Sequence, residues 1–110
     1  MNDMNDSDMN EVEVERAELD EAVKRYEALE RLKANPDFIY LINKVYLGAH
    51  ATRLVKLRGA GRIHETFQED VLKEIDAVGY FAAWCRITTG KGQEAKKALE
   101  DLVNEMEQEG

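Results

Sequence analysis

In 110 residues the sequence has one cysteine, one proline and two histidines, and each scarcity closes a class of protein. Cys85 alone cannot form an internal disulfide, which excludes a disulfide-stapled secreted scaffold. His50 and His64, with no C-x-x-C pair, give no zinc-ligand pattern, so neither a metal nor a cofactor is expected. The longest mainly apolar run, 38–47, is interrupted by Asn43 and Lys44 and is too short to span a bilayer. Residues 1–10 are polar and acidic, without the basic region and apolar stretch of a signal peptide. These absences predict a soluble protein of a reducing compartment.

Charge is plentiful and unevenly placed. The chain holds 15 Lys+Arg against 23 Asp+Glu, for a net charge of −8. Residues 1–23 carry nine acids and only Arg16 as a base; residues 93–110 carry six acids and two bases. The middle is basic. From Lys44 to Arg62 there are five bases (Lys44, Arg53, Lys56, Arg58, Arg62) and no acid. The overall charge repels nucleic acid, which makes it an unlikely partner, although the middle stretch alone could attract phosphate or an acidic protein.

The apolar spacing predicts an all-α protein of three to four helices. Residues 1–10 lack periodicity and read as a disordered acidic tail, followed by a single helical domain over 11–110. A first helix spans Glu11 to Ala34, with Val12, Leu19 and Tyr26 seven apart. Asn35-Pro36-Asp37 ends it and starts another, with Asn35 as cap and Pro36 in the first turn. That helix reaches about Arg58 and is apolar on two faces (Phe38, Leu41, Ile42, Val45; Tyr40, Leu47, Ala51, Leu54), which predicts packing on two sides. Gly59 reads as a helix C-cap. A third helix runs from about Arg62 to Thr88 on the stripe Ile63, Phe67, Val71, Ile75, Val78, Ala82 and Cys85. Tyr80, Phe81, Trp84 and Ile87 predict wider burial of its second half. Thr88 to Gly92 reads as a break or kink before a last helix over Gln93–Glu107. The first and last helices carry the thinnest apolar stripes. They are expected to pair antiparallel as a coiled-coil-like arm of a helical hairpin or bundle, with an acidic tip. A dimer or larger bundle built from the same stripes is the rival arrangement.

Nothing in the sequence builds a catalytic site. His64, Glu65, Glu69 and Asp70 lie close together, but on one helix surface rather than in a cleft. Cys85 falls on an apolar stripe and reads as an inert packed thiol. Gly90-Lys91-Gly92 lacks the preceding strand, the glycine spacing and the Lys-Ser/Thr ending of a phosphate loop. The expectation is a non-enzyme that works by contact.

Two stretches carry a resemblance. Residues 28–57, ALERLKANPDFIYLINKVYLGAHATRLVKL, and residues 69–101, EDVLKEIDAVGYFAAWCRITTGKGQEAKKALED, resemble small all-helical proteins of tailed bacteriophages. Asn35-Pro36-Asp37-Phe38 and Ala77-Val78-Gly79 are the distinctive pieces. The resemblance implies a non-enzymatic structural or adaptor protein in virion assembly or on the virion, located in the host cytoplasm, the virion or both. Its expected partner is a capsid, portal or tail protein, with a homo-oligomer also possible and no membrane involved. The alternative is a small acidic inhibitor of a host enzyme, with its negative charge imitating DNA. The expected partner-binding residues are Glu13, Glu15, Leu19, Tyr26, Leu102, Glu105 and Met106 on the arm, and Lys44, Arg53, Lys56, Arg58 and Arg62 in the basic stretch.

Overall fold

The computed structural model of the protein describes residues 6–60 and 64–109, and every element among them is helical. Helix α1 is Asp6–Lys33. Helix α2 covers 36–59 in three consecutive stretches: an α-turn Pro36–Phe38, a wide π-helical stretch Ile39–His50, and α-helix again over Ala51–Gly59. Helix α3 is Glu65–Glu109. The protein is an all-α hairpin or bundle in which α1 packs against α3.

Three boundaries differ from the sequence reading. Helix α1 starts at Asp6, inside the stretch expected to be disordered. Residues 1–5 lie outside the described residues. Gly59 is the last residue of α2 rather than a left-handed cap, and Ala60 closes the helix with right-handed dihedrals and an N–H donated to the Lys56 carbonyl. The expected break over Thr88–Gly92 is absent, and α3 runs through it unbroken.

The reason lies in the chain's first compact unit, Met1–Leu29 with Ile87–Gly110. Gly92 is buried there against Tyr26, and a Cβ at Gly92 would overlap the Cβ and Cγ of Tyr26. The glycine serves close helix contact, not a bend. Val23, three residues back along α1, borders the same hollow as Lys96, Leu99 and Val103. The two helices therefore run antiparallel, as the arm was expected to. Leu29, Thr88, Gly92 and Ala95 are buried among the described residues of this unit. Burial then fades along the pair, since Val12, Val14, Leu102, Val103 and Met106 are all exposed.

The second unit, Glu30–Arg86, pairs α2 with the first half of α3. Asn35 caps α2 as expected: its Oδ1 accepts the Asp37 N–H at 2.8 Å, and its carbonyl accepts the Ile39 N–H. His64 does the same for α3, its Nδ1 accepting the Thr66 N–H at 3.3 Å while its carbonyl takes the Gln68 N–H. Among the described residues of this unit, Leu54 and Val71 are the buried apolar side chains, 2% and 3% exposed.

The wide stretch of α2 explains which residues face inward. Phe38, Ile42, Tyr46, His50 and Leu54 follow at steps of four and are all buried or half-buried. In an α-helix of 3.6 residues per turn, that row drifts about 40° at each step and leaves the interface. With i→i+5 bonding, four residues turn through less than a full circle, so the drift runs the other way there and partly offsets that of the α-helical turns after it. A 12-residue π stretch is long for this geometry, which normally occurs as single turns. Gly48 suits it, because a Cβ there would lie 3.2 Å from the Asn43 carbonyl oxygen five residues earlier.

Candidate functional site

Within the second unit, cross-helix contacts set the register. Tyr46 meets Phe81 edge-on at 5.9 Å, and His50 Nε2 lies 3.9 Å from Glu74 Oε2. Gln68 Nε2 donates to the Leu57 carbonyl at 3.2 Å, and Arg58 Nη1 donates to Gln68 Oε1 at 2.9 Å. Lower numbers on α2 thus meet higher numbers on α3, and continuing the register sets Val45 level with Tyr80 and Leu41 level with Trp84.

These four residues were expected to be buried. They are not. Each of the two apolar faces expected of α2 is split: Phe38, Ile42, Leu47, Ala51 and Leu54 are buried or half-buried, whereas Tyr40 is 56%, Leu41 55% and Val45 38% exposed. On α3, Tyr80 is 75% and Trp84 56% exposed. The physical cause is register. Tyr80 lies about 180° around α3 from the row Val71, Val78 and Ala82, and Trp84 one turn further lies on the same outer side. With Ile87 also exposed in the first unit, the expected wide burial of this half of α3 is corrected. The exposed apolar side chains of the second unit thus lie on α2 (Tyr40, Leu41, Val45) and on the outer side of α3 (Tyr80, Trp84).

The residues selected from sequence fall into two groups, one in each unit. In the second unit Lys44, Arg53 and Lys56 are exposed, and Arg53 and Lys56 flank a shallow hollow with Ala49, Thr52 and Leu57. Arg58 is tied to Gln68, while Arg62 lies outside the described residues. In the first unit Glu13, Glu15 and Glu105 are exposed, as are Leu102 and Met106. Leu19 and Tyr26 are half-buried, and Tyr26 is occupied by its contact with Gly92. Sequence reasoning missed Tyr40, Leu41, Val45, Tyr80 and Trp84 as site residues because it assigned them to the core. Placing α3 on a helical wheel separates Tyr80 and Trp84 from the buried row; the α2 face depends on the wide turn, which leaves no periodic signal.

The cluster His64, Glu65, Glu69 and Asp70 lies at the start of α3. His64 spends its Nδ1 on the cap of α3. Glu65, Glu69 and Asp70 are exposed on that helix. His50 stacks on Tyr46 at 5.7 Å, beside Phe81, as part of the packing between α2 and α3. Cys85 is half-buried rather than sealed in the core. Among the described residues, no three His, Cys, Asp or Glu side chains are grouped to hold a metal ion, and no helix is long and apolar enough to cross a membrane.

No known protein family matches the chain, and no curated protein and no solved structure is significantly similar to it.

Proposed function

We propose that this is a non-enzymatic structural or adaptor protein of a tailed-phage particle, acting through helix-mediated contacts with a capsid, portal or tail protein. The observation that carries the contact role is the exposure of three aromatics in the second unit: Tyr40, Tyr80 and Trp84 are each more than half exposed. Aromatics of this kind anchor protein interfaces, and covering each is worth about 1–2 kcal/mol at its present exposure. The phage setting rests on the resemblance of residues 28–57 and 69–101. In this reading the protein resides in the host cytoplasm during assembly or in the particle.

Mass spectrometry of gradient-purified procapsids and virions tests the assignment. The proposal expects the chain at a fixed ratio to a capsid, portal or tail protein. Its absence from both particles removes the structural role.

A second reading has one observation in its favour. Glu13, Glu15, Glu105 and Glu107 are all exposed, in a unit whose two helices run antiparallel. An acidic surface of that kind fits the positively charged site of a host nuclease, polymerase or defence protein. Reversing those four charges abolishes binding to such an enzyme under this reading. Unchanged binding ends it.

A further inference from the structure

We infer that the hollow along α2 bordered by Arg53 and Lys56 is a docking groove for an acidic amphipathic helix of a partner protein.

The first observation is shape. Ala49, Thr52, Arg53, Lys56 and Leu57 line one open hollow of ≈ 550 Å³. Their numbers advance by three and four, so they lie on one side of α2 over two turns, a length of about 12 Å. All five belong to α2. The small side chains of Ala49 and Thr52 and the flank of Leu57 make an apolar floor, and the two long cationic side chains stand beside it. A trough of this form receives the apolar residues that a helix presents at steps of three and four.

The second observation is charge. From residue 38 to residue 64 the chain has no acid. Arg53 and Lys56 are exposed, and among the described residues neither forms an ion pair. Arg58, nearby on α2, is instead held by Gln68. The two free cations are three residues apart, the spacing at which carboxylates on a facing helix are also neighbours. The complementary partner carries an apolar residue at each turn with Glu or Asp beside it. Nucleic acid fits less well: no aromatic lines the hollow for a base to stack on, and a chain of net charge −8 repels a polyanion. The groove rests on the contact role proposed above but not on the phage setting, and the two fail separately: absence from particles leaves a groove that binds its peptide in place.

Nuclear magnetic resonance of the ¹⁵N-labelled full chain tests the inference. The probe is a synthetic amphipathic helical peptide with leucine at every third or fourth position and glutamates beside them. It should shift the amide signals of Ala49, Thr52 and Arg53 and saturate at ~10–1000 µM, the range of a small contact. The same peptide with glutamine for glutamate should bind about 10-fold more weakly, the loss of two exposed ion pairs. Arg53→Gln with Lys56→Gln should lose as much, while Lys73→Gln with Lys97→Gln, exposed bases away from the hollow, should bind as wild type. Circular dichroism should show both variants helical. No shift at ~1 mM peptide overturns the inference, as does equal binding of the two peptides or wild-type affinity in helical Arg53→Gln/Lys56→Gln. Oligothymidylate that moves the same signals at lower concentration overturns it in favour of nucleic acid. Movement of those signals on dilution without peptide overturns it in favour of a second copy, whose α1 carries Glu11, Val14, Glu15 and Glu18 around a hollow of its own.

Discussion

Gly92 and Gly79 lie on the same helix, and the same substitution at each should move stability in opposite directions. Replacing glycine by alanine inside a helix normally stabilises by about 0.5–1 kcal/mol, because the unfolded chain loses freedom and the helix gains a better former. At Gly79 a Cβ meets nothing within 4 Å, so Gly79→Ala should show that gain in full. At Gly92 the new Cβ falls on the Cβ and Cγ of Tyr26, atoms close to the α1 backbone that no rotamer change removes. Helices α1 and α3 must separate locally, and overpacking of this kind costs about 1–3 kcal/mol. After the propensity gain is subtracted, Gly92→Ala should be about 1–2 kcal/mol less stable than wild type. For a chain of this size that is a fall of roughly 4–8 °C in Tm, against a rise of roughly 2–4 °C for Gly79→Ala. Thermal unfolding followed by circular dichroism, at matched protein concentration, measures both. A Gly92→Ala protein as stable as Gly79→Ala would refute the close contact of α1 with α3 and restore the kink as the reason for glycine there.

Three further outcomes follow from the local geometry. Asn35→Ala removes the acceptor of the Asp37 N–H and should cost about 0.5–2 kcal/mol in urea unfolding, with Asn35→Asp close to neutral. His64→Ala should lose a similar amount, whereas His64→Asn, which can accept the Thr66 N–H, should recover most of it in the same assay. Leu54→Ala empties the most buried side chain of the second unit and should cost about 2–5 kcal/mol; a loss below about 1 kcal/mol would mean that this centre is not packed as described.

Some of this architecture was legible in the residues because it is written in local chemistry. Asn35-Pro36-Asp37 combines a side-chain acceptor, a fixed φ and an acid at a helix start, and the structure uses all three. Glu21 and Arg25, four apart on α1 with the acid first, form an ion pair at 3.2 Å. The antiparallel pairing of the first and last helices followed from their thin, matching stripes. What misled was local chemistry whose meaning depends on a distant neighbour. Two glycines in three residues read as a break, yet Gly92 is there for Tyr26, 66 positions away. Tyr40, Leu41, Tyr80 and Trp84 read as core because they are apolar, and a monomer of two paired helices has only one inner side for each. The row Phe38, Ile42, Tyr46, His50 and Leu54 could not be read as one face with an α-helical step, since it is the π stretch that aligns it. Among the candidate site residues, sequence charge located the exposed acids and bases, but the exposure of Tyr40, Leu41, Val45, Tyr80 and Trp84 depends on which side of each helix is packed.

Trp84 is the only tryptophan in the chain, so its fluorescence reports directly on the exposed outer side of α3. Emission maximum and acrylamide quenching of the full chain, recorded as a purified capsid, portal or tail protein carrying no tryptophan of its own is titrated in, test the contact role in one experiment. Coverage by such a partner predicts an indole that is red-shifted and accessible in the free chain and becomes blue-shifted and quencher-protected at saturation. An indole equally red-shifted and equally quenched at every partner concentration would contradict it.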